Sequence, residues 1–102
     1  MKNIFLIFSV LIFFSCGGEK KTNADGSPNG KQLYEDNCSI CHGGDGKAGV
    51  SEAKDLSTST MSLEEAISVI ENGKGKMTPF KEMMNEKERE AVGKYIQELK
   101  GK

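Results

Sequence analysis

The chain has 102 residues, and its 14 Lys and Arg against 15 Asp and Glu give a formal net charge of −1 at pH 7. That length holds one domain, and the near-balance of charge argues against a general nucleic-acid binder, which is markedly basic. Partner choice therefore has to come from local patches.

Lys2 precedes an apolar run from Ile4 to Phe14 that ends in Ser15-Cys16-Gly17-Gly18. A charged start, a short apolar middle and small residues at the cut are the parts of a signal peptide. The run is too short for a permanent transmembrane helix, which needs about 20 apolar residues. Residues 1–15 are read as that signal, so the mature chain begins at Cys16. Phe13-Phe14-Ser15-Cys16 resembles the lipobox of bacterial lipoproteins, in which the cysteine thiol takes a diacylglycerol, although Phe13 and Phe14 depart from the Leu and small residue usual there. The resemblance implies an exported protein, lipidated on Cys16 and anchored at the periplasmic or outer face of a bacterial membrane. Each buried methylene of such a lipid contributes about 0.8 kcal/mol. A signal cleaved without lipidation, or left in place as an interfacial anchor, is the alternative.

The next stretch, GGEKKTNADGSPNG, has no side chain that could enter a core, so residues 16–29 are expected to form a lipid-anchored flexible tether. As a free coil it would reach roughly 20 Å. Residues 30–102 form the folded domain. A domain of that size is marginal on apolar burial alone and needs a disulfide, a metal or a cofactor. With Cys16 lipidated only Cys38 and Cys41 remain, and a bridge between them would close a tiny loop that constrains little of the unfolded chain.

Three helical segments follow, with no stretch of strict polar and apolar alternation. Asn29 can cap the first, in which Leu33, Tyr34, Cys38 and Cys41 recur at helical spacing, and Gly43-Gly44 should end it. Residues 43–60 are rich in Gly, Ser, Thr and Asp, and so long a loop in so small a domain is expected to wrap something. Ser62-Leu63-Glu64-Glu65 has the form of a capping box, Leu63, Ala66, Ile67 and Ile70 make the buried stripe, and Gly73 stops the second helix. Asn85 to Glu88 repeats the start signal for the last helix, where Ala91, Val92, Tyr95, Ile96 and Leu99 share a face and Lys100 suits the dipole at the carboxyl end.

The informative string is Cys38-Ser39-Ile40-Cys41-His42. Thiols three positions apart on a helix face the same way, so both can add to the two vinyl groups on one edge of a haem. His42 is then held beneath the ring, where its imidazole can ligate iron. Other uses of such a string fit less well. A thioredoxin-like pair belongs near a βαβ pattern, zinc would need a carboxylate or water to complete four ligands, and a bare reactive thiol pair leaves the small core unexplained.

The chain resembles the class I c-type cytochromes, small monohaem proteins of electron transport, from about Gly30 to Lys100. CSICHGGDGKAG, GKGKMTPF and the terminal EAVGKYIQELK carry the resemblance, in that order. It implies an all-α, cytochrome c-like fold with about three main helices and long loops around one covalently attached haem c. It also implies a methionine as second iron ligand, here Met77. Pro79 biases Thr78 towards extended angles and Gly73 and Gly75 permit close backbone approach, which favours Met77 over Met61, Met83 and Met84 as the ligand. Gly30 and Tyr34 look like the family's small and aromatic pair on the first helix, meeting Tyr95 on the last. Two features depart from the pattern. No proline occurs between Gly43 and Leu56 to mark the carbonyl that orients the histidine, and Thr78 stands between Met77 and Pro79, either donating a hydrogen bond towards the site or merely solvated.

Iron held by protein on both faces has no position for substrate, so the expected function is single-electron transfer between protein partners, not catalysis on a small molecule. Lys74, Lys76 and Lys81 either form a docking rim for an acidic redox partner or are lysines of a solvated loop that serve solubility. The alternatives are a haem-based sensor or peroxidase-like module with one open iron face, and a fixed electron-transfer subunit of a respiratory complex.

Overall fold

The computed structural model describes residues 21–102; the expected signal peptide and Cys16 lie outside the described residues. Residues 21–29, the described part of the expected tether, close on themselves. The Asn29 N–H donates to the Lys21 carbonyl at 2.8 Å and the Asn23 N–H to the Ser27 carbonyl at 2.7 Å. The Asp25 carboxylate accepts from the Ser27 amide at 2.9 Å and its hydroxyl at 2.6 Å, which holds Asp25 below the usual carboxylate range. Coil was expected here from composition, but Asn, Asp and Ser satisfy the backbone locally and build a turn.

Among the described residues the secondary structure is helical: α1 (Gly30–Asn37), α2 (Ser39–His42), α3 (Leu63–Asn72) and α4 (Glu86–Leu99), with 3-10 turns at Val50–Glu52 and Leu56–Thr58. Asn29 caps α1 by accepting from the Gln32 amide at 3.1 Å. The expected single helix from this cap to Gly43 is divided at Cys38, whose φ of −113° departs from helical values. Side chains at the break compete for the last carbonyls of α1: the Ser39 hydroxyl donates to Glu35 and the Asn37 amide to Leu33. Such bonds loosen a helix end. The axis continues nonetheless, because the His42 N–H reaches the Cys38 carbonyl at 3.0 Å, and Gly43 ends it at φ 80°.

Ser62 caps α3 through the Glu65 amide at 3.2 Å, and Gly73 closes its far end. At α4 both halves of the capping box form, with Asn85 accepting from the Glu88 amide and the Glu88 carboxylate from the Asn85 amide. The core gathers Leu33 and Tyr34 from α1, Ile70 from α3, and Val92, Ile96 and Leu99 from α4, with Cys38, Leu56, Phe80 and Met84 from the connections. Leu63 and Ile67 of the expected stripe are half-buried.

α4 crosses α1 at Gly30, where a Cβ would stand 2.2 Å from the Ala91 carbonyl oxygen, so only glycine lets the backbones approach. One turn on, the Tyr34 and Tyr95 rings meet with centroids 5.2 Å apart at 55°, a tilted arrangement that aromatic quadrupoles favour. The end of α4 pins the long loop: the Lys100 ammonium donates to the Met61 carbonyl and the Gly101 N–H to Ser57 at 2.9 Å. Lys100 thus does more than face the helix dipole.

Candidate cofactor site

A cavity of about 440 Å³ opens between α2, the loop around Val50–Leu56, α3 and the loop after α3. Cys38, Cys41, His42 and Met77, predicted from separate stretches of sequence, all line it. Leu56, Ala66, Val69, Ile70, Phe80 and Ile96 supply apolar wall. Ile40 is 79 % exposed and Val50 50 % exposed at its margin. Apolar side chains held outwards around an apolar space suit a flat macrocycle that would cover them.

The imidazole of His42 is oriented by a partner that sequence reasoning missed. Its Nδ1 lies 3.0 Å from the Lys54 carbonyl oxygen. A carbonyl can only accept, so Nδ1 carries the proton and Nε2 keeps its lone pair free for a metal. The missing proline signal is immaterial, because the acceptor is a backbone group that any residue offers. Lys54 is held in place on both sides: the Ala48 N–H donates to the His42 carbonyl at 2.9 Å, and the Leu56 N–H to Gly46 at 2.8 Å. Asp55 caps the following turn through the Ser57 amide at 2.9 Å. The Tyr34 hydroxyl donates to the Gly43 carbonyl at 2.6 Å, fixing the residue after His42. Burial raises the Tyr34 hydroxyl far above its ordinary value, so it remains a donor at any physiological pH.

Burial pushes the Cys38 thiol up to about 12. A buried, protonated thiol of this kind is a poor nucleophile for disulfide exchange. No cluster of three or more His, Cys, Asp or Glu side chains suited to a bare metal ion occurs among the described residues. What the donor set does fit is a haem: two thiols beside one apolar space, an imidazole with Nε2 available, and a thioether on another wall.

The methionines separate by position. Met83 is 62 % exposed and Met84 is packed in the core, while Met61 and Met77 both line the cavity. The Met77 N–H donates to Lys74 at 3.0 Å in an isolated bridge. Gly73, at φ 71°, lets this loop lie flat on the end of α3, since a Cβ there would be 2.6 Å from the Met77 oxygen and 2.9 Å from the Pro79 nitrogen. Past Pro79, the Phe80 N–H donates to Ile70 at 2.8 Å and the Lys81 N–H to Glu71 at 3.1 Å. Thr78 is exposed and also borders the cavity.

Comparison with known proteins agrees with this construction. Residues 27–96 match the family described as cytochrome C oxidase, cbb3-type, subunit III. Cytochrome c6 of Rippkaea orientalis is 32 % identical over 89 % of this chain and 86 % of its own. A cytochrome c6-like protein of Nostoc is 27 % identical over 91 % of this chain and 88 % of its own. Among solved structures, the KustC0563 c-type cytochrome superposes with a TM-score of 0.63 at 29 % identity, covering 71 % of this chain and 98 % of its own. Cytochrome c6C from Synechococcus gives 0.61 at 28 %, covering 69 % and 92 %. The chain belongs to the cytochrome c family, as a small class I c-type cytochrome with the cytochrome c fold and a covalently bound haem c.

Proposed function

We propose that this protein is a single-electron carrier in which Cys38 and Cys41 hold the haem edge, His42 and Met77 are the axial ligands, and a lipid on Cys16 keeps the domain at a membrane surface. The observation that carries the ligand assignment is the convergence of all four residues on one cavity, with His42 presenting Nε2 because Nδ1 is taken by Lys54. When bound, haem iron supplies the one-electron couple. The chain's own residues do the rest. The thiols of Cys38 and Cys41 would hold the group covalently, the His42 imidazole and the Met77 thioether would be its iron donors, and Leu56, Ile70, Phe80 and Ile96 would keep water from it.

A soft, neutral thioether opposite an imidazole favours ferrous iron and raises the reduction potential relative to two imidazoles. Lys74 and Lys76 border the cavity and are exposed, with Lys81 nearby in sequence. Lys76 pairs with Glu52 at 3.5 Å, both side chains well solvated, so this ion pair is weak and yields readily to an acidic partner. Steering by these lysines predicts electron-transfer rates that fall as salt rises; flat rates would remove the docking role.

The deciding experiment for ligation is carbon monoxide binding to the reduced protein. Slow or absent binding supports two protein ligands, and fast binding supports the open-iron reading. Substituting Met77 with Ala and then Met61 with Ala separates the two methionines: the variant that gains rapid binding has lost the ligand. For the anchor, Cys16→Ser releases the protein from membranes, and continued membrane association would overturn lipidation as the means of attachment.

A further inference from the structure

Arg89 is the single arginine among 14 basic residues, and its side chain is only 11 % exposed. It projects from the first turns of α4 to the segment that leaves the Met77 loop. Its Nη1 donates to the Lys81 carbonyl at 3.1 Å and to the Met84 carbonyl, while Nη2 lies 4.0 Å from the Glu71 carboxylate. The Glu71 carbonyl, in turn, accepts from the Lys81 amide. One guanidinium therefore joins the end of α3, the exit of the Met77 loop and the start of α4. The planar guanidinium is pre-organised for this and loses less freedom per hydrogen bond than a flexible lysine ammonium would in the same place.

We propose that Arg89 is a positioning residue for the second axial ligand, holding the loop so that the Met77 thioether stays directed into the cavity. The inference rests on Met77 being that ligand. On the entry side the loop is fixed by Gly73 and the Lys74–Met77 bridge. On the exit side the amides of Phe80 and Lys81 bind α3, and Arg89 takes carbonyls that α4 and the turn leave over. A neutral thioether brings no charge attraction to ferric iron, so its hold depends on how far the loop is pre-organised.

Imidazole titration of the ferric, haem-loaded full chain reads this directly. Added imidazole binds only where the thioether has left, so its apparent affinity scales with the open population. Arg89→Met, which keeps the apolar stem, is expected to raise that affinity about tenfold, with Arg89→Lys between it and the parent. Met77→Ala should give the largest increase. Tyr95→Leu, which weakens the contact between α1 and α4 without touching the loop, should leave the affinity unchanged. Parent-like affinity in both Arg89 variants, alongside an increase in Met77→Ala, would overturn the positioning role alone. An increase in Tyr95→Leu equal to that in Arg89→Met would reduce the effect to general destabilisation and overturn it too. No increase in Met77→Ala would instead overturn the ligand assignment on which the inference stands.

Discussion

The two walls of the cavity are held by different means. On the His42 side the proposed ligand belongs to a helix, follows directly from the cysteines, and is fixed by that helix and the loop after it: the His42 amide donates to the Cys38 carbonyl, the Ala48 amide to the His42 carbonyl, and Nδ1 to the Lys54 carbonyl. On the Met77 side the proposed ligand sits in a loop whose order comes from contacts with α3 and α4, through Gly73, Phe80, Lys81 and Arg89. Order that a loop borrows from the elements packed beside it is lost more readily than order within a helix, so the Met77 side is expected to open first under heat, denaturant or competing ligand.

The largest break in this asymmetry comes from the rigid wall. His42→Ala removes the side chain proposed to tie α2 to the cofactor and leaves the Lys54 carbonyl without its donor. The expected loss is at or above about 4 kcal/mol, the range reached when a metal bond disappears, with little folded protein at 37 °C. Met77→Ala should keep the haem attached and the helices formed. Comparable denaturation midpoints for the two variants, read by far-UV circular dichroism, would erase the distinction between the walls.

Gly73→Ala attacks the other wall while leaving both proposed ligand side chains in place. The added methyl meets the Met77 oxygen and the Pro79 nitrogen at sub-contact distances, and φ 71° is unfavourable for any side chain. A cost of about 1–3 kcal/mol follows, felt as weakened thioether to iron absorption well below the global unfolding temperature. If that signal and the helices were lost together, the Met77 loop would not be a separately opening unit.

What sequence made legible follows the same division. Features carried by side-chain identity at fixed spacing were visible: the caps Asn29, Ser62 and Asn85, the stop at Gly73, the meeting of Tyr34 and Tyr95, and four residues that converge on one cavity. Features carried by the backbone or by distant contacts were not. The Lys54 carbonyl has no signature, since every residue has one. Arg89 has no sequence signature either, since its acceptors are backbone carbonyls at Lys81 and Met84. The break at Cys38 depended on where Ser39 and Asn37 found carbonyls. The turn at residues 21–29 was the exception, because Asn23, Asp25 and Ser27 are spaced for local capping and the pattern was masked by the polar composition around it.

Tyr34→Phe sharpens the account of the His42 wall at smaller amplitude. It keeps the ring against Tyr95 and removes only the hydroxyl that serves the Gly43 carbonyl. The expected destabilisation is about 1 kcal/mol, the ordinary net contribution of such a bond, with iron ligation unchanged. A loss several times larger in thermal unfolding would mean that the Gly43 turn, not the helix, is what holds His42.

The smallest effect concerns acid. The Ser57 hydroxyl, ahead of the Ser57 amide and the Lys47 charge, holds the Asp55 carboxyl below its ordinary value. A carboxylate whose folded value is depressed stabilises the fold above its unfolded value, near pH 3.9, and that contribution disappears as pH falls through the folded value. Asp55 caps the turn that follows Lys54, so its protonation loosens the segment that orients His42. Asp55→Asn can still accept the Ser57 amide but cannot titrate. It should therefore be close to the parent at neutral pH and lose less stability below pH 4. Parallel acid limbs for parent and variant, measured as melting temperature against pH, would show that this cap has no part in acid sensitivity.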